Sequence, residues 1–233
     1  MRINGFTGVS LIDYPGKICS IVYTSPCNFK CPFCHNVSLI TVNPDTLSEE
    51  DILEDISDRR LFIDAVTVTG GEPFMQRDLS SFLAKIKSFG LLSKVDTNGY
   101  EPGKLAKLIS EGLIDYAAMD IKAPLNFYDV ASGVAADTSR IKDSIDIIMN
   151  SGIDYCFRTT VVPGIIDGKS LEKIGRLIKG AKFFVIQQYE NTMTLDRSYE
   201  KIKPYGEEQL AGFSRIMEKY AEKVRTANTA LVS

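Results

Sequence analysis

Six short runs rich in β-branched and aromatic residues punctuate the chain, at 18–23, 65–69, 94–97, 116–121, 155–162 and 183–188. Their starts lie 22 to 47 residues apart, too far for hairpins and far enough for a helical crossover each time. Such spacing predicts a parallel sheet. The intervening segments agree, because apolar residues return there at helical spacing: Leu79, Phe82, Leu83 and Ile86 in one, Leu171, Ile174, Leu177 and Ile178 in another. Ser48 with Asp51 three residues on, Asp78 and Pro102 stand at helix starts, and Gly90, Gly112 and Gly152 at helix ends.

Alternating β and α units form either an open doubly wound sheet or a barrel. A complete eight-unit barrel takes about 250 residues. With 233 residues and six units, the expected architecture is α/β: an incomplete (β/α)6 TIM-like barrel with a parallel sheet and a C-terminal helix at 207–224. No Pro/Gly/Ser linker or change of composition divides the chain, so 1–233 reads as a single domain. The charge balance, 27 Lys and Arg against 30 Asp and Glu, provides no positive field for nucleic acid. No apolar run approaches the ~20 residues of a membrane span, and the N-terminal residues lack the long apolar stretch of a signal peptide. The chain is therefore expected to be cytoplasmic, with neither nucleic acid nor membrane as partner.

An odd number of cysteines, five, fits a reducing compartment better than a disulfide framework. Cys27, Cys31 and Cys34 lie within eight residues, while Cys19 and Cys156 stand alone inside strand-like runs and read as buried small hydrophobes. A tetrahedral zinc site wants four ligands. The fourth is missing, since His35, the only histidine, directly follows Cys34. A [4Fe–4S] cluster held by three thiolates leaves one iron open to an external ligand. Nearly every strand also runs into a polar or glycine-rich stretch: Gly70-Gly71-Glu72-Pro73, Asp96-Thr97-Asn98-Gly99, Asp120-Ile121-Lys122, Val162-Pro163-Gly164 and Gln187-Gln188-Tyr189-Glu190. In a parallel sheet these gather on one edge, where ligands bind.

Cys27-x3-Cys31-x2-Cys34 with Phe33, followed by Gly70-Gly71-Glu72-Pro73, resembles the radical S-adenosylmethionine (SAM) superfamily over essentially the whole chain. Asp13-Tyr14-Pro15-Gly16-Lys17 and Cys34-His35-Asn36 resemble its glycyl-radical-enzyme activating group, and Gly5-Phe6, Ser10-Leu11-Ile12-Asp13-Tyr14-Pro15-Gly16 and Cys27-Asn28-Phe29-Lys30-Cys31-Pro32-Phe33-Cys34-His35-Asn36 resemble above all the activating proteins of anaerobic ribonucleoside-triphosphate reductase. Pyruvate formate-lyase activating enzymes are near relatives. The resemblance implies a single radical SAM domain whose cluster loop spans 24–36, with Cys27, Cys31 and Cys34 binding a [4Fe–4S] cluster and SAM on the open iron.

By the same resemblance Gly70, Gly71, Glu72 and Pro73 meet the methionyl ammonium, and Asp96, Thr97 and Asn98 lie near the ribose and the methionyl carboxylate. Asn98 is also readable as a plain Asn-Gly turn. Asp96, Thr97 and Asp120 are implied to hold a monovalent cation, the alternative being an Asp120–Lys122 pair. Arg158 and Val162-Pro163-Gly164 fall on the adenosine side, Phe33 near the adenine, and Gln188 and Tyr189 at the mouth. No residue beyond cluster and cofactor is assigned a catalytic role, and His35 is expected to bond or pack beside the cluster.

The implied reaction is reductive cleavage of SAM to methionine and a 5′-deoxyadenosyl radical. That radical removes the Cα hydrogen of a glycine in a partner, with a flavodoxin or ferredoxin as electron donor. Alternatives are a pyruvate formate-lyase-type activase, a radical SAM enzyme acting on a small molecule, and a non-catalytic Fe–S or zinc module.

Overall fold

The computed structural model describes residues 1–42 and 44–228. One eight-stranded sheet runs in chain order: β1 (Ile3–Ser10), β2 (Cys19–Thr24), β3 (Ala65–Gly70), β4 (Leu92–Thr97), β5 (Tyr116–Asp120), β6 (Asp154–Val161), β7 (Ala181–Gln188) and β8 (Ala221–Asn228). Among the described residues all neighbours from β2 onward pair parallel, and β1 is antiparallel to its neighbour. The crossovers carry α1 (Glu49–Arg59), α2 (Leu79–Ser88), α3 (Pro102–Ser110), α4 (Tyr128–Ser132), α5 (Thr138–Asn150), α6 (Gly168–Leu177) and α7 (Glu207–Met217). Among the described residues the edge strands β1 and β8 do not pair with each other, which leaves the barrel incomplete as expected.

Local chemistry starts and stops these helices. Ser48 accepts from the Asp51 backbone N–H at 3.2 Å, and Glu49, Glu50 and Asp51 load the first turn of α1 with negative charge. Asp167 caps α6 by accepting from the Ser170 N–H at 2.7 Å, and Pro102 opens α3. Asp78 precedes α2 but makes no capping bond with its side chain. Gly90, Gly112 and Gly152 each follow a helix with positive φ.

The main core lies between the helices and the outer face of the sheet, where Ile56, Phe82, Leu83 and Ile86 are fully enclosed. A smaller cluster fills the barrel interior with Cys19, Ile21, Ala118, Cys156 and Val185. Tyr14 plugs its base, its ring tilted 57° against that of Tyr116 at 5.5 Å between centroids. Cys19 and Cys156 are thus buried on the inner face, as their strand positions suggested.

Two elements differ from expectation. The C-terminal helix ends at Met217 instead of 224, and the chain turns at Tyr220 into β8, which pairs along β7 from Ala221 to Asn228. The segment Ala-Glu-Lys-Val-Arg is composed like a helix, but the open edge of β7 provides a full ladder of backbone partners, and pairing overrides propensity. The exposed charges of Glu222, Lys223 and Arg225 suit an edge strand. β1 escapes a pattern search because Gly5 and Gly8 interrupt it. At Gly5 a Cβ would stand 3.1 Å from the Tyr23 ring on β2.

Candidate active site

The C-terminal ends of β2 to β7 surround one cavity of about 400 Å³. The cluster loop forms one wall, and the network of bonds holding it is dense. Gly71 N–H donates to Thr24 O at 2.7 Å, Glu72 N–H to Pro26 O at 3.1 Å, and Cys27 N–H to Ile40 O at 3.1 Å. On the far side Lys30 N–H reaches Ser132 O at the end of α4 at 2.8 Å, and Asp196 N–H reaches Pro32 O at 2.9 Å. Phe29 anchors the loop by its edge-on contacts with Tyr100 and Tyr128.

This seating explains the paired glycines. Gly70 has φ +108°, and a Cβ there would stand 2.5 Å from Thr24 N; at Gly71 it would stand 2.5 Å from Pro26 O and 2.9 Å from Leu39 O. Only hydrogen at these Cα atoms lets β3 turn directly beneath the loop.

Cys27, Cys31 and Cys34 all line the cavity. Burial pushes the Cys27 thiol up to about 12 and Cys31 up to about 11, and raises Cys34 as well, although the Lys122 charge pulls all three down. Buried thiols so placed need a cationic centre to become thiolates. Cys27 Sγ already accepts hydrogen bonds, from Phe29 N–H at 3.4 Å and from Asn98 Nδ2 at 3.9 Å. Among the described residues no set of three or more His, Cys, Asp or Glu side chains converges on one metal ion. The thiols instead line the wall of a larger space. Two buried polar atoms beside them, Asn28 Nδ2 and His35 Nε2, have no hydrogen-bond partner among the described residues. His35 Nδ1 pairs with Met193 O at 2.8 Å, which fixes the ring beside the loop. This donor set, three soft sulfurs around a space with unsatisfied polar atoms, fits a cluster with an open iron and a polar ligand.

Of the other expected residues, Phe33, Gly70, Gly71, Asp96, Thr97, Asn98, Asp120, Lys122 and Arg158 line the same cavity. Glu72 and Pro73 do not. Glu72 is 1% exposed and its carboxylate points back into the protein, accepting from Thr97 Oγ1 and Asn98 N–H at 2.8 Å each and from Phe74 N–H at 3.2 Å. Burial lifts this carboxyl to about 7 against the opposing effect of those three bonds. Its geometry ties the β3 turn to the end of β4.

Along the cavity wall runs a buried ionic network, of which only Lys94 does not line the cavity. Arg158 donates to Asp120 Oδ1 at 2.7 Å and Asp96 Oδ2 at 2.9 Å, Lys122 to Asp120 Oδ2 at 3.0 Å, and Lys94 to Asp96 Oδ1. Burial would raise the Asp120 carboxyl, but the Arg158 and Lys122 charges outweigh it and hold it at about 2.

At β7 the expectation of Gln188 and Tyr189 at the mouth gives way to Gln187, with Glu190, Thr192 and Met193 beyond it. Gln188 turns outward to Tyr205 O at 2.6 Å, and Tyr189 is fully buried with its hydroxyl on Tyr199 O at 2.7 Å. Strand alternation decides this, since Val185 faces the barrel interior and Gln187 follows it on the same face. Thr69 and Thr160 also line the cavity, whereas Val162 and Pro163 do not, and Gly164 borders a separate hollow beside Phe127.

The Radical SAM superfamily is matched over residues 21–178, and the chain belongs to that superfamily, whose members work with a [4Fe–4S] cluster and SAM. A Methanocaldococcus jannaschii protein provisionally named a glycyl-radical enzyme activating enzyme is 33% identical across 97% of this chain and 96% of its own length. That full-length likeness puts the chain in the glycyl-radical-enzyme activating group. The anaerobic ribonucleoside-triphosphate reductase-activating protein of Salmonella typhi is 30% identical over 37% of this chain and 58% of its own. A solved domain of the pyruvate-formate lyase-activating enzyme from Bacteroides vulgatus shares the fold, with a TM-score of 0.57 and 17% identity over 70% of this chain and 98% of that one.

Proposed function

We propose that this radical SAM enzyme installs a glycyl radical on a partner enzyme, and that the partner is an anaerobic ribonucleoside-triphosphate reductase. The observation that carries the reading is the cavity in which Cys27, Cys31 and Cys34 face the ends of β3 to β7. The three thiols hold a [4Fe–4S] cluster, and the whole chain acts as one domain around it. When bound, the cluster supplies the electron that cleaves SAM and so generates the species that removes a glycine hydrogen.

The chain's own residues bind and orient. Gly70 and Gly71 bring backbone close to the bound cofactor, while Asn98, Asp120 and Lys122 present polar atoms to its methionyl and ribose groups. Phe33 packs at the adenine side. Arg158 keeps the carboxylates of Asp96 and Asp120 in place through the bonds it donates to both. Holding a glycine near the reacting carbon while excluding water is a positioning task, and the unpaired edges of the sheet leave room for a polypeptide loop. A low-potential flavodoxin or ferredoxin supplies the electron.

The resemblance carried by Gly5-Phe6, by residues 10–16 and by residues 27–36 supports the reductase as partner. Anaerobically reconstituted protein mixed with SAM, a low-potential reductant and either a reductase or a pyruvate formate-lyase tests this. A glycyl doublet in the electron paramagnetic resonance spectrum of the reductase alone is expected. A doublet on the lyase alone overturns the choice of partner, and SAM cleavage with no protein radical on either points to a small-molecule substrate.

A further inference from the structure

Asp96 and Asp120 stand on adjacent parallel strands, where the family resemblance implies a monovalent metal ion. Their surroundings do not suit one. Each of the four carboxylate oxygens already accepts from a cationic side chain: Asp96 from Lys94 and Arg158, Asp120 from Arg158 and Lys122. Three cations face two carboxylates, and a bare ion added there would meet like charges with no unshared carboxylate oxygen to offset them.

Lys94 is the member of this network that the cavity does not account for. It lies on β4 two residues before Asp96, is 4% exposed, and does not line the large cavity. It borders a separate hollow of about 50 Å³ inside the barrel, with Asp13, Ala118 and Cys156. An ammonium so deeply buried is costly unless its charge is matched, and its bond is to Asp96 Oδ1.

We propose that the Lys94 ammonium takes the place of a monovalent metal ion at Asp96. It is a positioning residue, an internal cation that orients the Asp96 carboxylate at the cavity wall, and the protein needs neither potassium nor sodium for that purpose. The importance given to Asp96 rests on the function proposed above. The test does not, because it reads neither SAM cleavage nor a partner radical.

Unfolding midpoints of the anaerobically reconstituted full chain are measured in potassium, sodium and tetramethylammonium chloride at equal ionic strength. The wild type is expected to unfold at one midpoint in all three, and Lys94→Arg to behave likewise. Lys94→Met, which keeps the shape and removes the charge, is expected to be weakened in tetramethylammonium and selectively raised by potassium or sodium. The rise at saturation should be roughly 4 °C or more. Two results overturn the proposal: a selective rise in the wild type that Asp96→Asn abolishes, or a folded Lys94→Met protein with one midpoint in all three salts. Should Lys94→Met fold in none of them, the wild-type comparison decides.

Discussion

Glu72 shows how a motif residue is put to use by its neighbours. Its three hydrogen bonds join the β3 turn to the end of β4, and burial raises its carboxyl from 4.5 to about 7. In that window the folded chain holds a proton that the unfolded chain has released, so stability falls as pH rises through it. For the apoprotein the slope should differ from that of Glu72→Gln by up to ~1.4 kcal/mol per pH unit, measured by denaturant unfolding under anaerobic conditions. Parallel slopes for the two proteins would contradict the assignment. Gly71→Ala forces a Cβ against Pro26 O and Leu39 O. It is expected to destabilise the cluster loop by about 1–3 kcal/mol and to lower iron content after reconstitution; a variant with unchanged iron would show that the close approach is dispensable. The glycine motif was legible as part of the site from residue types alone. The direction of the Glu72 carboxylate was not, because beside the local Phe74 N–H it depends on Thr97 and the Asn98 N–H, which only the fold brings to it.

Among the elements, those with strong periodicity were the readable ones. α2 presents Leu79, Phe82, Leu83 and Ile86 to the core, and all are buried. Phe82→Ala should cost ~3–5 kcal/mol by opening a cavity there, as a drop in the denaturant midpoint would report; a loss below about 1 kcal/mol would mean the site collapses without penalty. β7 provides a sharper test of alternation. Gln187→Ala is expected to weaken SAM binding several-fold in equilibrium dialysis, and Gln188→Ala, on the opposite face, to leave it unchanged. The reverse order would mean that the register of β7 is off by one residue. β1 and β8 were illegible for separate reasons: glycines interrupt the first, and the second borrows its conformation from the β7 edge. Neither carries a site residue named from the sequence, so the site could be read although the sheet was undercounted.

For the molecule as a whole, parallel strands in chain order collect residues from 27 to 193 around one cavity. That topology is why loops distant in sequence could be assigned to one place. It also separates two tasks along the barrel axis: Tyr14 and the small inner cluster close the base, while the three thiols and the ionic network occupy the ends of the strands. The proposed function requires those thiols to hold a cluster at which SAM is cleaved. The most direct test is release of 5′-deoxyadenosine by anaerobically reconstituted protein under low-potential reductant, wild type against Cys31→Ala. The wild type should bind about four irons and release 5′-deoxyadenosine, with the variant reduced to background. Full release by Cys31→Ala would contradict it.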